Sequence, residues 1–328
     1  MTAGPLVSVI IPVYNGTNYL ADAVESVLAQ SHDSVELLVI DDGSTDHTWE
    51  MIRSFGDRVR GIRKENGGVA SAMNRGIEES SGQYIAWLSH DDMFLPEKLE
   101  RQVRFLAGST TCRACFTDFE IVDPDGRPLR TVRTPELTRN ELRRHLFGRM
   151  FINGSSMMID RRCFDEVGLF REDLRTTQDA EMWIRLLDRW HIGRVGEVLA
   201  LQRSHPDQGS RDEGPHRAEK EATFAEAFDR LGVAGLFPEW EIDPESPGAA
   251  ARARVWLGDT VAVHRYWFEF ANRQYRAAVR TWPSPNNPAR ARLLLGARLW
   301  TAPSRHTRRL RHRLGRLRAR VGPERKNG

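Results

Sequence analysis

The sequence predicts an α/β protein built on a doubly wound sheet. Two observations carry this: β-rich runs alternate with helical spacing from the amino end, and each run breaks off into polar or glycine residues. A third gives the chain its centre. Tyr84-Ile85-Ala86-Trp87-Leu88 is apolar enough for a buried strand, and it ends abruptly in Ser89-His90-Asp91-Asp92. Ligands of open α/β sheets collect just beyond the carboxyl ends of the strands.

The elements follow in order. Val7 to Val13 is a β-rich run ended by Tyr14-Asn15-Gly16, and Leu20, Val24, Val27 and Leu28 then recur at helical spacing. Glu36 to Ile40 supplies the next strand. Asp41-Asp42-Gly43-Ser44-Thr45-Asp46 is its loop, with Thr45 or Asp46 suited to cap a helix through Trp49, Ile52 and Phe55. The third unit runs from Val59-Arg60-Gly61-Ile62-Arg63 through Glu65-Asn66-Gly67-Gly68 into a helix over Val69 to Glu79. After the acid pair, Pro96 opens a helix through Leu99, Val103 and Leu106.

With 328 residues the chain has room for one main domain of roughly 200 to 250 residues and a smaller addition. Cys112, Cys115 and Cys163 are too few for a disulfide scaffold, and Cys112-x-x-Cys115 lies in a strand-like run without a second pair, so buried free thiols are expected. No basic and apolar leader precedes Pro5 and no run is long enough to cross a bilayer, so the expected compartment is the cytoplasm. The formal charge of +3 hides an asymmetry: residues 301–328 hold nine Arg and one Lys against Glu324, a net +9, which leaves −6 on the preceding 300 residues.

What is missing constrains the ligand. There is neither a G-x-G-x-x-G after the first strand nor a G-x-x-x-x-G-K-[ST], which excludes a classical dinucleotide fingerprint and a P-loop. Asp41, Asp42, Asp91 and Asp92 repel a bare diphosphate, so a bound nucleotide calls for a bridging divalent cation, Mg²⁺ or Mn²⁺. Asp42 has the chemistry to accept an N–H from a base edge; an Asx-turn before Gly43 is the structural alternative, as a solvated turn is for Asp91 and Asp92.

Four motifs in order resemble the signatures of family 2 glycosyltransferases. They are Ile10-Ile11-Pro12-Val13-Tyr14-Asn15, Val39-Ile40-Asp41-Asp42-Gly43-Ser44-Thr45-Asp46, Asn66-Gly67-Gly68-Val69-Ala70-x-Ala72-x-Asn74-x-Gly76 and Leu88-x-x-Asp91-Asp92. The resemblance covers roughly residues 5 to 210. It implies the GT-A fold, a mostly parallel central sheet in an α/β/α sandwich. It also implies a nucleotide diphosphate sugar, usually UDP-linked, held through a divalent metal, and inversion at the anomeric carbon. Carried over by position, Pro12, Val13 and Tyr14 frame the base and Asp42 reads its N–H. Asn66 and Asn74 lie in the segment that closes over the nucleotide, although Asn74 can equally brace its own helix. The family's Asp-x-Asp stands here as Ser89-His90-Asp91. Binding then falls to Asp91 and Asp92, with Asp92 expected in direct metal contact and Asp91 on ribose or acting through water.

The middle of the chain is expected to receive the second substrate. Pro124-Asp125-Gly126 reads as a reverse turn between extended segments, and residues 132 to 149 as a surface helix and loops able to form a lid. Asn153 and Gly154 can line the acceptor side, though Gly154 serves close packing equally well. Sugar transfer to a hydroxyl needs a base, and Asp179, at the start of a helix with Met182, Trp183, Leu186 and Leu187 inward, is the best placed. It matches the base of the family's Glu-Asp motif, with Gln178 in place of the Glu; a plain N-cap is its structural alternative, and Glu181 is a weaker substitute. In Gln202-Arg203-Ser204-His205, His205 can supply a metal ligand or touch the diphosphate and Arg203 can stabilise leaving-group charge, with a mobile solvated loop as the alternative.

The expected organisation is a catalytic domain over 1–215, divided into nucleotide-sugar (5–110) and acceptor (111–215) halves. A helical extension follows over 216–300 and a basic amphipathic tail over 301–328. The tail's Leu310, Leu314, Leu317 and Val321 form one apolar stripe between arginines, suited to an anionic membrane surface near a glycan or lipid-linked acceptor, or to a helical partner. Glycosyl transfer in cell-surface polysaccharide synthesis accounts for the acids, the missing P-loop and Asp179 together. A sugar nucleotidyltransferase and a non-catalytic sugar-nucleotide-binding protein are the alternatives, and no recognition motif accompanies the arginines to make a nucleic-acid partner.

Overall fold

In the computed structural model of the protein, residues 4–147, 152–206, 208, 213–240, 243, 245–261 and 268–293 are described. The basic tail expected over 301–328 lies outside them. The chain parts into two compact units, Met1–Asp229 and Arg230–Gly328.

The first unit opens with three strand–helix repeats. They are β1 (Val7–Val13), α1 (Leu20–Leu28), β2 (Val35–Asp41), α2 (Thr48–Ser54), β3 (Arg60–Arg63) and α3 (Val69–Glu79). Then come β4 (Tyr84–Trp87), β5 (Met93–Phe94), α4 (Lys98–Ala107), the long β6 (Cys112–Val122) and β7 (Pro128–Val132). The rest is α5 (Arg139–Leu146), β8 (Met157–Asp160), α6 (Arg162–Val167), α7 (Gln178–Arg189), β9 (His191–Arg203) and α8 (Glu213–Leu236). Among the described residues, nine strands form one sheet in the order β3-β2-β1-β4-β8-β6-β9-β5, with β7 paired to β6. Pairing is parallel from β3 to β4, antiparallel at β4–β8, β8–β6, β6–β7 and β9–β5, and parallel at β6–β9.

Local chemistry explains these elements. All seven residues of β1 are buried, as a strand covered by helices on both faces requires. α1 buries Leu20, Ala23, Val24 and Val27 and leaves Leu28 at the rim. Asp46 accepts the Thr48 N–H at 3.0 Å where α2 begins. The Pro124-Asp125-Gly126 turn joins β6 to β7, with Asp123 Oδ1 accepting from the Asp125 and Arg127 N–H groups and Gly126 at φ +82°. Thr138 and Glu141 form a capping box on α5. The three cysteines are buried free thiols.

The second unit holds the end of α8, broken at Gly232 with φ +59°, and two further helices, α9 (Pro247–Val261) and α10 (Phe268–Thr281). Phe237 stacks on Trp240 and meets Trp256 edge-on, while Asp259 receives the Tyr275 hydroxyl at 2.8 Å and pairs with Arg292. These aromatics make a small helical core. Among the described residues, no helix is long and apolar enough to cross a membrane.

One buried group departs from the apolar rule. Lys98 is 0 % exposed, with Nζ over the Phe94 ring at 3.8 Å and donating to Gln102 Oε1 at 2.8 Å, and burial lowers its pKa to about 7. Its unfolded-state pKa lies near the ordinary lysine value of about 10.4, so between the two values the unfolded chain binds the extra proton and stability rises with pH. Replacing Lys98 by Met removes this dependence. We expect the Tm of the wild type to drop relative to Lys98→Met from pH 9 to pH 7, and the gap to level off below; a pH-independent gap would show that folding leaves the amine's pKa at its unfolded value.

Candidate active site

The carboxyl ends of β1, β2, β3 and β4 meet at one edge of the sheet. Beyond β1, Asn15 adopts φ +52° and its N–H reaches Ser44 Oγ at 2.9 Å, while its Oδ1 accepts the Thr45 N–H at 2.8 Å. Gly16 is required here, because a Cβ would lie 2.3 Å from Val13 and 2.8 Å from the His90 ring. Pro12 and Val13 are buried at the end of β1, and Tyr14 is 47 % exposed at the mouth.

Asp42 organises the adjoining loop. Its Oδ1 accepts from Lys64 Nζ at 2.7 Å and the Gly67 N–H at 3.0 Å, and its Oδ2 from the Gly68 N–H at 2.7 Å. The carboxylate therefore supplies an anionic cap to α3, whose own N-cap residue, Gly68, has no side chain. Three of its roughly four acceptor positions are filled, so contact with a base N–H has only Oδ2 left to it. Asn66 is exposed on this loop. Asn74 is not: its Nδ2 donates to Phe170 O and Glu172 Oε1, both at 2.9 Å, and its Oδ1 accepts the Phe170 N–H. Its amide ties α3 to the segment before α7, rather than bracing only its own helix.

The two acids beyond β4 part company. Asp92 is 2 % exposed and held by the protein: Oδ2 accepts from Ser155 Oγ at 2.6 Å and Asn153 Nδ2 at 3.5 Å, and Oδ1 from the Arg203 N–H at 3.0 Å. Burial, then the charge of Asp91, push its pKa up to about 8. The sequence assigns direct metal contact to Asp92 first; its oxygens are instead engaged by protein donors. Asp91 Oδ2 faces His205 Nε2 at 3.0 Å. With that nitrogen donating to the carboxylate, the buried Nδ1 of His205 keeps a lone pair with no hydrogen-bond partner. His90 beside them is held neutral by burial.

Arg203 explains why the turn is rigid. Its guanidinium, 3 % exposed, donates through Nε to Asp91 O at 3.1 Å, through Nη1 to Pro124 O and through Nη2 to Asp22 Oδ2 at 2.7 Å, over the Tyr19 ring at 4.4 Å. These donors, to which the sequence assigns leaving-group charge, are engaged inside the fold. Asn153 and Gly154, the expected acceptor lining, are packed closely beside this turn. Asn153 Oδ1 accepts the Ser155 N–H at 2.9 Å, and a Cβ on Gly154 would strike the Trp87 ring at 2.8 Å.

Asp179 sits half-buried in the first turn of α7. Burial raises its pKa to about 6, against the lowering effect of the Ala180 N–H and of Lys220. The lead-in to α7 reaches the mouth of the sheet, since Arg175 Nη1 donates to Gly67 O at 3.2 Å. An edge-to-face chain from Trp87 through Phe170 to Trp183 ties α7 to the end of β4. Gln178 is 6 % exposed, and its Oε1 is buried without a hydrogen-bond partner. Sequence reasoning missed Ser155, Lys64, Arg175, Glu219 and Lys220. Lys64 alone carried a signal, standing directly between a strand end and the Gly67-Gly68 loop. A cavity of about 390 Å³ lined by Pro5, Tyr84, Leu106, Arg113, Asp160 and others lies at the amino end of the sheet and contains none of the expected site residues.

Among the described residues, no three His, Cys, Asp or Glu side chains form a metal-binding group. The donor set still fits a divalent cation. His205 offers an orphaned buried nitrogen fixed by a carboxylate, the arrangement that orients metal-binding imidazoles, and such ions commonly complete their shells with water and substrate phosphates.

The central role given to Arg203 makes a stability prediction. Arg203→Met strands the carbonyls of Asp91 and Pro124, so urea unfolding should show a loss of about 2 to 4 kcal/mol. Arg203→Lys should recover little, because one ammonium cannot span the same acceptors. A loss near zero would mean the turn is held by other contacts.

Comparison with known proteins places this architecture. The sequence model described as Glycosyl transferase family 2 matches residues 8–168. An uncharacterized glycosyltransferase of Rickettsia felis is 40 % identical over 221 residues, 66 % of this chain but 37 % of that protein. The first curated relatives are therefore matched over little more than a third of their length. The Bacillus subtilis chain TuaG, named for teichuronic acid biosynthesis, is 35 % identical over 191 residues, 56 % of this chain and 73 % of its own. Among solved structures, the mannosyltransferase PcManGT of Pyrobaculum calidifontis, in complex with GDP-Man and Mn²⁺, superposes with a TM-score of 0.56 at 18 % identity, over 95 % of this chain and 85 % of that one. The fold is that of the GT-A transferases, and the chain belongs to glycosyltransferase family 2.

Proposed function

We propose that the protein is an inverting glycosyltransferase that moves a sugar from a nucleotide diphosphate sugar to a hydroxyl of a glycan or lipid-linked acceptor, in cell-surface polysaccharide synthesis. The observation that carries the reading is Asp179, a carboxylate raised to about 6 by burial, on a helix whose lead-in touches the loop organised by Asp42. The name of TuaG and the GDP-Man and Mn²⁺ bound to PcManGT support the substrate class. Uracil is the base implied by the family resemblance; Pro12, Val13 and Tyr14 are the residues proposed to frame it, and Asn66 lies in the segment proposed to close over the nucleotide.

His205 through Nδ1, with Asp91 at Nε2 fixing its ring, would hold a divalent cation. The bound cation would neutralise charge on the diphosphate as it departs. The chain's own residues do the rest. Asp179, ionised above about pH 6, accepts the acceptor hydroxyl proton as that oxygen attacks the anomeric carbon; the new glycosidic bond forms while the bond to the diphosphate oxygen breaks on the opposite face. A single displacement inverts configuration. Gln178 Oε1, buried and unpaired, is the acceptor atom available to a second hydroxyl of the incoming sugar. The basic tail is proposed to lie on an anionic membrane surface beside that acceptor.

The test is a panel of UDP- and GDP-linked sugars with glycan and lipid-linked acceptors, followed by Asp179→Asn on the productive pair. Turnover should fall by roughly 10²- to 10⁴-fold with donor affinity kept, and wild-type kcat should decline as pH drops through about 6, where the base becomes protonated. Near-normal turnover in Asp179→Asn would assign the base elsewhere, and a retained anomeric configuration would reject the single displacement.

A further inference from the structure

We propose that Glu219 on α8, beyond the segment matched by the family, is the positioning residue that fixes Asp179 and sets the charge around its carboxylate. The inference rests on the reading of Asp179 as the base. Glu219 Oε2 accepts the Arg175 N–H at 2.7 Å. Its Oε1 accepts the Thr176 N–H at 2.7 Å, the Thr177 N–H at 2.8 Å and both threonine hydroxyls at 2.9 Å. Three consecutive backbone N–H groups thus converge on one carboxylate at the amino end of α7, where Thr177 provides no side-chain cap of its own. The negative charge also meets the positive end of the helix. Burial pushes Glu219 upward, but the backbone and hydroxyl donors outweigh it and hold the group below the ordinary glutamate value, so it is ionised at neutral pH. Thr177 Oγ1 lies 3.0 Å from Thr223 Oγ1, one turn further along α8, as a second fastening.

The clamp acts on the site in two ways. It fixes the three residues just before Gln178 and Asp179, and through Arg175 it fixes their contact with Gly67. It also places a charge near the base. From α8, Lys220 favours the ionised form of Asp179 and Glu219 opposes it; on α7 itself, Glu181 is engaged by Arg185 at 2.7 Å. A mere stabilising cap would supply the first effect without the second.

The experiment uses the full chain and the variants Glu219→Ala, Glu219→Gln and Asp179→Asn. The Asp179 carboxyl is titrated by ¹³C NMR, with Asp179→Asn for assignment, and kcat against pH is measured on the pair that supports wild-type transfer. Glu219→Ala should lose roughly 10²-fold in kcat with donor KM little changed, as a displaced catalytic group does. Glu219→Gln keeps an acceptor oxygen without the charge, so it should recover much of that loss. Its Asp179 titration midpoint and the acid limb of kcat should both move to lower pH. An unmoved midpoint in Glu219→Gln, or Glu219→Ala turnover equal to wild type, overturns the proposal. If Glu219→Ala does not fold, the Gln variant alone decides. Full turnover in Asp179→Asn would instead overturn the base assignment, while the NMR midpoint in Glu219→Gln still tests the clamp by itself.

Discussion

The structure depends on one constraint: two adjacent acids are buried in the turn beyond β4, and each needs partners from elsewhere in the chain. Asp92 resolves it by turning inward to Ser155 Oγ and the Arg203 N–H, its pKa pushed up by burial and by Asp91. Asp91 turns to His205 Nε2 instead. Both acids are therefore fixed by the end of β9, because the residue whose N–H holds Asp92 also donates its guanidinium to the Asp91 carbonyl. The parallel pairing of β9 with β6 delivers Arg203 and His205 to a turn more than a hundred residues earlier in the chain.

A similar arrangement governs the loops that lead into α3 and α7. Asp42 and Glu219 each gather backbone N–H groups at the start of a helix that lacks a side-chain cap, α3 in one case and α7 in the other. Arg175 joins the two loops. Helix starts presented in this way carry residual positive character, and the site lies where such ends meet the carboxyl edge of the sheet.

Strand–helix alternation and the polar strand ends were legible in the sequence because they are set by residues close in the chain. The motifs around Asp42, Asp91 and Asp179 were legible for the same reason. Individual roles were less legible, since they depend on distant partners. Asn74 reads as a nucleotide contact or a brace of its own helix until Phe170 takes its amide, and Arg203 reads as a free cation until Asp22, Pro124 and Asp91 engage it. Glu219 sits in a charged helical run that gives no hint of the loop it closes. Residue type and spacing reveal which groups are available; they do not reveal which ones the fold has already used.

The central claim is that His205, its ring fixed by Asp91, rather than Asp92, holds a divalent cation that brings the diphosphate to an acidic site. Calorimetric titration of nucleotide diphosphate sugar with Mn²⁺ and with EDTA, for the wild type and for His205→Ala, tests it most directly. The account predicts that EDTA weakens wild-type binding and that His205→Ala binds weakly and equally under both conditions. Wild-type affinity unchanged by EDTA, or a full Mn²⁺ effect in His205→Ala, would contradict it.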